Sequence, residues 1–314
     1  MILKTTKQKE YELLDSGNGE KLERYGQFVL RRPDPEALWE KSKDILLWNK
    51  ADLKFERNGT KTKWIAKEGT PKHWEISYGD LNFSIRPTSF KHTGIFPEQL
   101  PNWTWSYDLI KKASPLDNFS GPRMREDEEP DHEKLSKDST EKKISVLNLF
   151  AYTGGATLAC AKAGAEVCHL DGSKTAVEWA RENAKLSGLE DAPIRWIVED
   201  VLVFLKREIK RGHKYDAIIM DPPSFGHGPK DELWKIEESF LGLMKLCKEI
   251  LSDDPVFVLI NGYTAGYSPI AYENNLKDMM KDCGGKIEIG ELVIEQTESD
   301  KLLPCGIFAR WERK

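Results

Sequence analysis

The sequence contains no C-x-x-C pair and no stretch approaching the roughly 18 uninterrupted apolar residues of a transmembrane helix. Its opening MILKTTKQKEYELL has no apolar signal-peptide core. The five cysteines, Cys160, Cys168, Cys247, Cys283 and Cys305, are odd in number and widely spaced, which argues against both a disulfide framework and a zinc site. No metal is therefore expected, and no G-x-G-x-x-G fingerprint is present either. With 314 residues, 39% hydrophobic and 32% charged, the chain is too apolar for a disordered protein and too charged for a membrane one. A cytoplasmic protein of about two domains is expected.

The net charge of −5 looks wrong for a nucleic-acid binder, but it hides an asymmetry. Residues 1–115 carry 20 Lys and Arg against 16 Asp and Glu, a net of +4, so the remainder carries −9. The same first part holds six of the ten tryptophans. A mildly basic, aromatic-rich module ahead of an acidic one is compatible with nucleic acid.

Residues 10–90 read as short strands separated by turns. These are YELLDS, the turn Gly17-Asn18-Gly19, then QFVLRR, KFER, TKWIAK, HWEISYG and LNFSIRP. Alternation in Lys63–Lys67 and His73–Tyr78 fits half-buried antiparallel strands. One helix is expected over Pro35–Lys43, with proline at its start. Residues 1–93 thus form a small β-rich α+β domain, and 94–116 a connector ending in the helical stretch WTWSYDLIKKA. Residues 117–143 are Pro, Ser and charge with almost no large apolar residue, a composition expected to stay mobile on the surface.

From residue 144 to 314 the pattern becomes continuous apolar strands alternating with helices, which implies a mostly parallel sheet covered on both faces. The strands are Ser145–Leu149, Glu166–Leu170, Ile194–Val198, Asp216–Met220 and Val256–Ile260. Lys286–Glu295 and Gly306–Trp311 would add an antiparallel edge pair, giving a Rossmann-like doubly wound sheet of seven strands.

Ligands of such sheets bind beyond the carboxyl ends of the strands. The first strand runs into Phe150-Ala151-Tyr152-Thr153-Gly154-Gly155, whose glycine pair lets backbone N–H groups at a helix start approach a ligand. The second ends at Asp171-Gly172-Ser173, where an acid is placed to accept two ribose hydroxyls. The third ends at Asp200-Val201, an acceptor for an exocyclic amine and an apolar face for a base. Helix capping is the competing role of Asp171, and a solvated strand-end acid that of Asp200. The fourth ends at Asp221-Pro222-Pro223-Ser224-Phe225, a rigid turn whose carbonyls lack nearby N–H partners. Together with the Asp221 carboxylate and the Phe225 ring it suits a flat base carrying N–H groups.

These loops in this order resemble class I S-adenosylmethionine (SAM)-dependent methyltransferases, and most closely the bacterial large-subunit ribosomal RNA (rRNA) methyltransferases with a D-P-P-x-F motif. The stretches VLNLFAYTGGA, ENAKLSGL, VEDVLVFL, DPPSFGHG with downstream LWK, and GIFPEQ carry the resemblance. The charged 117–143 insertion departs from the pattern, and we find no N-terminal PUA domain of the kind some members carry. The resemblance implies SAM as cofactor, with its methionine part on the backbone of Phe150 to Gly155, its ribose on Asp171, and its adenine amine on Asp200. Asp221 and Pro222 would face the sulfonium and the acceptor, and Phe96 and Glu98 would close over the cofactor. It implies RNA, and large-subunit rRNA in particular, as partner.

Methylation at pyrimidine C5 needs a cysteine thiolate. Neither DPPSFGHG nor Ile260–Thr264 contains one, and Cys247 falls on an apolar helical stripe with Leu243 and Met244, so a nitrogen acceptor is expected. A small-molecule or protein methyltransferase and an NAD-dependent oxidoreductase are the competing readings. His213 and His227, each flanked by glycine or charge, read as surface residues rather than general bases.

Overall fold

The computed structural model describes residues 1–59, 61–114 and 143–314, and its first strand does not join the strands that follow it. β1 (Ile2–Thr5) instead pairs in parallel with residues 291–294 near the end of the chain. Gly290 permits this, because a Cβ there would fall 1.8 Å from the Met1 carbonyl oxygen. The expected 117–143 insertion, except Lys143, lies outside the described residues, as do the last two residues of the 94–116 connector.

β2 (Tyr11–Gly17), β3 (Glu20–Tyr25) and β4 (Phe28–Pro33) form an antiparallel meander. The Gly17–Gly19 turn was legible, but β3 was not: EKLERY offers only Leu22 and Tyr25 as apolar residues, and its charges turn inward to ion partners. The helix expected over Pro35–Lys43 is absent. That segment's backbone groups go to other partners: the Ala37 and Trp39 carbonyls accept from the β2–β3 turn, and the Ser42 and Lys43 N–H groups donate to the buried Asp15 carboxylate. The helix comes later, as α1 (Ile45–Asn49), capped by Asp44. β5 (Leu53–Asn58) and β6 (Lys61–Ala66) complete a five-stranded sheet, β5 lying parallel to β4. A separate hairpin, β7 (Trp74–Tyr78) with β8 (Leu81–Ile85), packs on the second domain.

A 3₁₀ turn, Pro97–Gln99, leads into α2 (Leu100–Ala113). The second domain then alternates β9 (Ser145–Leu149), α3 (Gly155–Lys162), β10 (Glu166–Asp171), α4 (Lys174–Leu186), β11 (Ile194–Val198), α5 (Val201–Lys210) and β12 (Ala217–Met220). A small hairpin, β13 (Phe225–His227) with β14 (Leu233–Lys235), precedes α6 (Ile236–Ile250), β15 (Phe257–Gly262), α7 (Pro269–Met280), β16 (Lys286–Glu295) and β17 (Leu302–Glu312).

The sheet order is β1-β16-β17-β15-β12-β9-β10-β11, with only β17 antiparallel to its neighbours. The seven expected strands are joined by β1 as an eighth, so β16 is not the edge and residues 2–5 of the N-terminal segment belong to the large sheet. β9 and β12 are fully apolar inside except for Asn148, and helices cover both faces: α5, α6 and α7 on one, α2 and α3 on the other. The strand order reverses between β9 and β12, whose carboxyl ends lead directly into Phe150 and Asp221. A crevice forms at such a switch point.

Candidate functional site

A cavity of about 600 Å³ opens there, with the carboxyl ends of β9 to β12 as one wall and the N-terminal domain as the other. A side pocket of about 60 Å³ continues from it and shares Phe96, Phe150, Tyr152 and Asp221.

The loop after β9 is strained. Phe150 (φ 56°) and Tyr152 (φ 49°) sit in the left-handed region, which L residues occupy only when their surroundings hold them there. The holding group is Asp171: its Oδ2 accepts the Tyr152 N–H at 2.8 Å, and its Oδ1 accepts the Ser173 N–H at 2.8 Å. Burial raises the Asp171 carboxyl above its ordinary range, and these two N–H groups oppose the rise. Ser173, not Asp171, caps α4. Asn183 of α4 ties the loop to the other domain, donating to Thr153 O and accepting from Ser84 N, both at 2.9 Å.

Gly154 (φ 89°) caps α3. A Cβ on it would lie 3.1 Å from Ala180 Cβ, and one on Gly155 would fall 2.2 Å from the Trp103 ring. Gly154 is thus required by its backbone conformation and its close approach to α4, and Gly155 by packing against α2.

Phe150, Tyr152, Asp171, Gly172 and Ser173 line the main cavity, as do Asp200, Val201, Asp221, Pro222 and Pro223. Phe96 and Glu98 line it from the connector. Ala151, Thr153, Gly154 and Gly155 line the side pocket instead. Phe225 lies outside both: its ring is 57% exposed and meets His227 edge-on at 5.2 Å, so it does not form the cavity's stacking face. The proline carbonyls are also less free than the sequence implied. Trp234 of β14 donates its Nε1–H to Pro223 O at 2.7 Å, and its ring meets that of Phe150 at a 60° tilt with centroids 4.9 Å apart. Asp200 caps α5 through Oδ1, which accepts the Val203 N–H at 2.9 Å.

Asp221 is the electrostatic outlier. Burial, with the charge of Glu98 added, pushes its carboxyl up to about 7. Glu98, 5% exposed on the 3₁₀ turn, is raised by the same burial, and the Tyr263 hydroxyl hydrogen-bonds to it while accepting from Gln99 Nε2 at 2.7 Å. Neither acid has a salt-bridged cation among the described residues. Two acids facing a cavity with no cation in salt-bridge contact among the described residues fit a cationic ligand or one rich in N–H donors, although the charge of Lys21 on the opposite wall acts on Glu98.

Several lining residues carried no sequence signal. Lys21, Arg32 and Asp34 reach the cavity from β3, β4 and the turn beyond, and Lys91 and His92 from the loop before Gly94. Cys305 of β17 reaches it as well, outside the two strand-end loops where a C5 nucleophile would be expected. Burial pushes its thiol well above the ordinary range, and Glu98 adds to this, so it is no ready nucleophile. Cys247 is fully buried in the core, as its stripe implied. His213 bonds to Glu208 at 3.3 Å away from the cavity, whereas His227 stands at the cavity beside Asp231.

A family model described as S-adenosylmethionine-dependent methyltransferase matches residues 135–254. The crystal structure of a SAM-dependent methyltransferase from Agrobacterium tumefaciens is 36% identical and superposes with a TM-score of 0.87, covering 100% of this chain and 94% of that one. Ribosomal RNA large subunit methyltransferase I of Aeromonas salmonicida is 31% identical over 174 residues, 55% of this chain and 43% of its own. Ribosomal RNA large subunit methyltransferase K/L of Syntrophotalea carbinolica is 36% identical over 121 residues, 38% of this chain and 16% of its own. The chain thus spans less than half the length of these curated relatives.

Proposed function

The chain belongs to the SAM-dependent methyltransferases, and we propose that it methylates a base of RNA, with large-subunit rRNA as the target and a nitrogen as the acceptor atom. SAM, when bound, supplies a methyl group on a positively charged sulfur for in-line displacement. Asp171 would hold the ribose hydroxyls, since each of its oxygens keeps a lone pair beyond the N–H it already accepts. Asp200 would take the adenine amine through the oxygen not used in capping, and Val201 the base face. The backbone from Phe150 to Gly155 would take the methionine part in the side pocket, and Phe96 and Glu98 would close over it.

The observation that carries this reading is the pair Asp221, half-buried, and Glu98, buried, neither in a salt bridge among the described residues and both facing the same cavity. Asp221, with the Pro222 carbonyl, accepts hydrogen bonds from an amine or ring N–H and orients the nitrogen lone pair. Once the methyl is attached to an amine or ring N–H nitrogen, that nitrogen must lose its proton. A carboxyl poised near neutrality takes it. The N-terminal domain forms the opposite wall and brings the basic residues an RNA needs.

The homologues named for rRNA support the substrate class. The test is transfer of labelled methyl from SAM to rRNA extracted from a strain lacking the gene, followed by nucleoside analysis. Label on a purine or pyrimidine nitrogen is the expected result; label at C5, or none in RNA, overturns the acceptor or the substrate respectively.

A further inference from the structure

The wall of the cavity formed by the N-terminal domain contains three cations close together, and two of them are neutralised. Arg32 bonds to Glu23 at 2.6 Å, and Lys21 to Asp34 at 3.1 Å. Lys91 has no carboxylate partner among the described residues. Its Nζ reaches only the Pro33 carbonyl, at 3.4 Å. A cation half-buried beside two others is held at a cost that an incoming anion removes. The backbone of Lys91 is itself in the left-handed region (φ 65°), inside a turn closed by hydrogen bonds between Thr88 and both Lys91 and His92. A lysine kept in that conformation without a partner is an indication of function.

Its two neighbours in the chain complete a recognition element. His92 lies against Phe96 at 5.5 Å, and its ring nitrogens make no hydrogen bond among the described residues. Burial, with Arg32, Lys91 and Lys21 nearby, lowers its pKa to about 4, so the ring is neutral and offers one donor and one acceptor. Phe90, on the other side, is 77% exposed. We propose that the loop Ser89–His92 recognises the target RNA strand, with Lys91 on a backbone phosphate, His92 on the edge of the base entering the cavity, and Phe90 stacked on a neighbouring base. An exposed ring, a lone cation and a two-way hydrogen-bonding ring in succession match what single-stranded RNA presents: base faces, phosphates and base edges. This assignment rests on the RNA reading above.

The test uses the full chain and deproteinised large-subunit rRNA from a strain lacking the gene, with filter binding measured across a series of KCl concentrations. Lys91→Asn removes the charge but keeps a residue that tolerates the left-handed backbone, and Lys91→Arg restores the charge. Removing one phosphate contact on a single strand lowers the slope of log affinity against log salt by about 0.7. We expect that change in Lys91→Asn, weaker binding at every salt concentration in Phe90→Ala, and wild-type behaviour in Lys91→Arg. SAM affinity, measured by calorimetry, is expected to be unchanged in all three and reports that each variant is folded. A wild-type slope and affinity in Lys91→Asn overturn the loop assignment alone. Wild-type protein that binds no rRNA overturns the RNA reading and the loop with it.

Discussion

Acids are buried in two regions of this molecule under opposite conditions. In the N-terminal domain Glu23 is completely enclosed, yet Arg32, Lys21 and the Tyr11 hydroxyl surround it. Burial alone would raise its carboxyl, but the Arg32 and Lys21 charges outweigh burial and hold it below the ordinary range. At the cavity, Asp221 and Glu98 have no salt-bridged cation among the described residues; Lys21 and the Tyr263 hydroxyl only partly offset the burial of Glu98, and both acids are raised. A compensated acid fixes a structure; an uncompensated one is held at a cost that protonation, or a ligand supplying charge or N–H donors, removes. The contrast separates a framework from a site without reference to any motif.

The largest effect that would sharpen the contrast is on catalysis. Asp221→Asn keeps the shape and removes the proton acceptor, so methyl transfer should fall by about 10²–10⁴-fold in a radiolabel assay with SAM saturating. Loss within tenfold would break the assignment of Asp221 as proton acceptor. In the framework, Arg32→Met leaves Glu23 buried without its main partner and should cost about 3–5 kcal/mol, read as a lower urea midpoint. The double variant with Glu23→Gln should recover part of that loss, because the stranded charge is gone.

The same Asp221→Asn should act on stability in the opposite direction. A carboxyl raised from 3.8 to about 7 contributes stability below pH 4 that is lost as pH rises through 7. At pH 8 and without cofactor the variant should therefore be more stable than wild type, by at most about 4 kcal/mol, and at pH 3.5 equal to it. Thermal melts at the two pH values test this.

The smallest effect concerns a second compensated acid. Glu208 is enclosed, and although burial would raise it, Arg195, Arg211 and the Tyr215 hydroxyl hold it down to about 2. Its contribution is present above pH 4.5 and lost as pH falls towards 2. Glu208→Gln should lower the urea midpoint at pH 6 and have less effect at pH 2. The loss is modest, since Arg195 and Arg211 reach solvent.

How far the chain could be read in advance follows the same division. The central strands of the large sheet are near-continuous apolar runs buried on both faces, a pattern with few alternatives, and Asp171, Asp200 and Asp221 stand at or just beyond strand ends. β3 was missed because its burial depends on ion pairing with Arg32, which no local pattern records. Pro35–Lys43 was read as helix because Asp15, some 27 residues earlier, takes its N–H groups. The opposite wall of the cavity was invisible: Lys21, Arg32, Lys91 with His92, and Cys305 come from four places that only the tertiary fold brings together. Phe225 was misplaced because adjacency to Asp221 in the chain does not decide which way a side chain turns after two prolines.

The pKa of Asp221 tests the central claim most directly. With the aspartate side chains labelled with carbon-13, the carboxyl resonance assigned by loss in Asp221→Asn should titrate near 7 in the free protein. When SAM is bound, its positive sulfur should move that titration towards acid pH. A carboxyl that titrates near 4 both with and without SAM would contradict the claim that Asp221 waits in the cavity for a counter-charge.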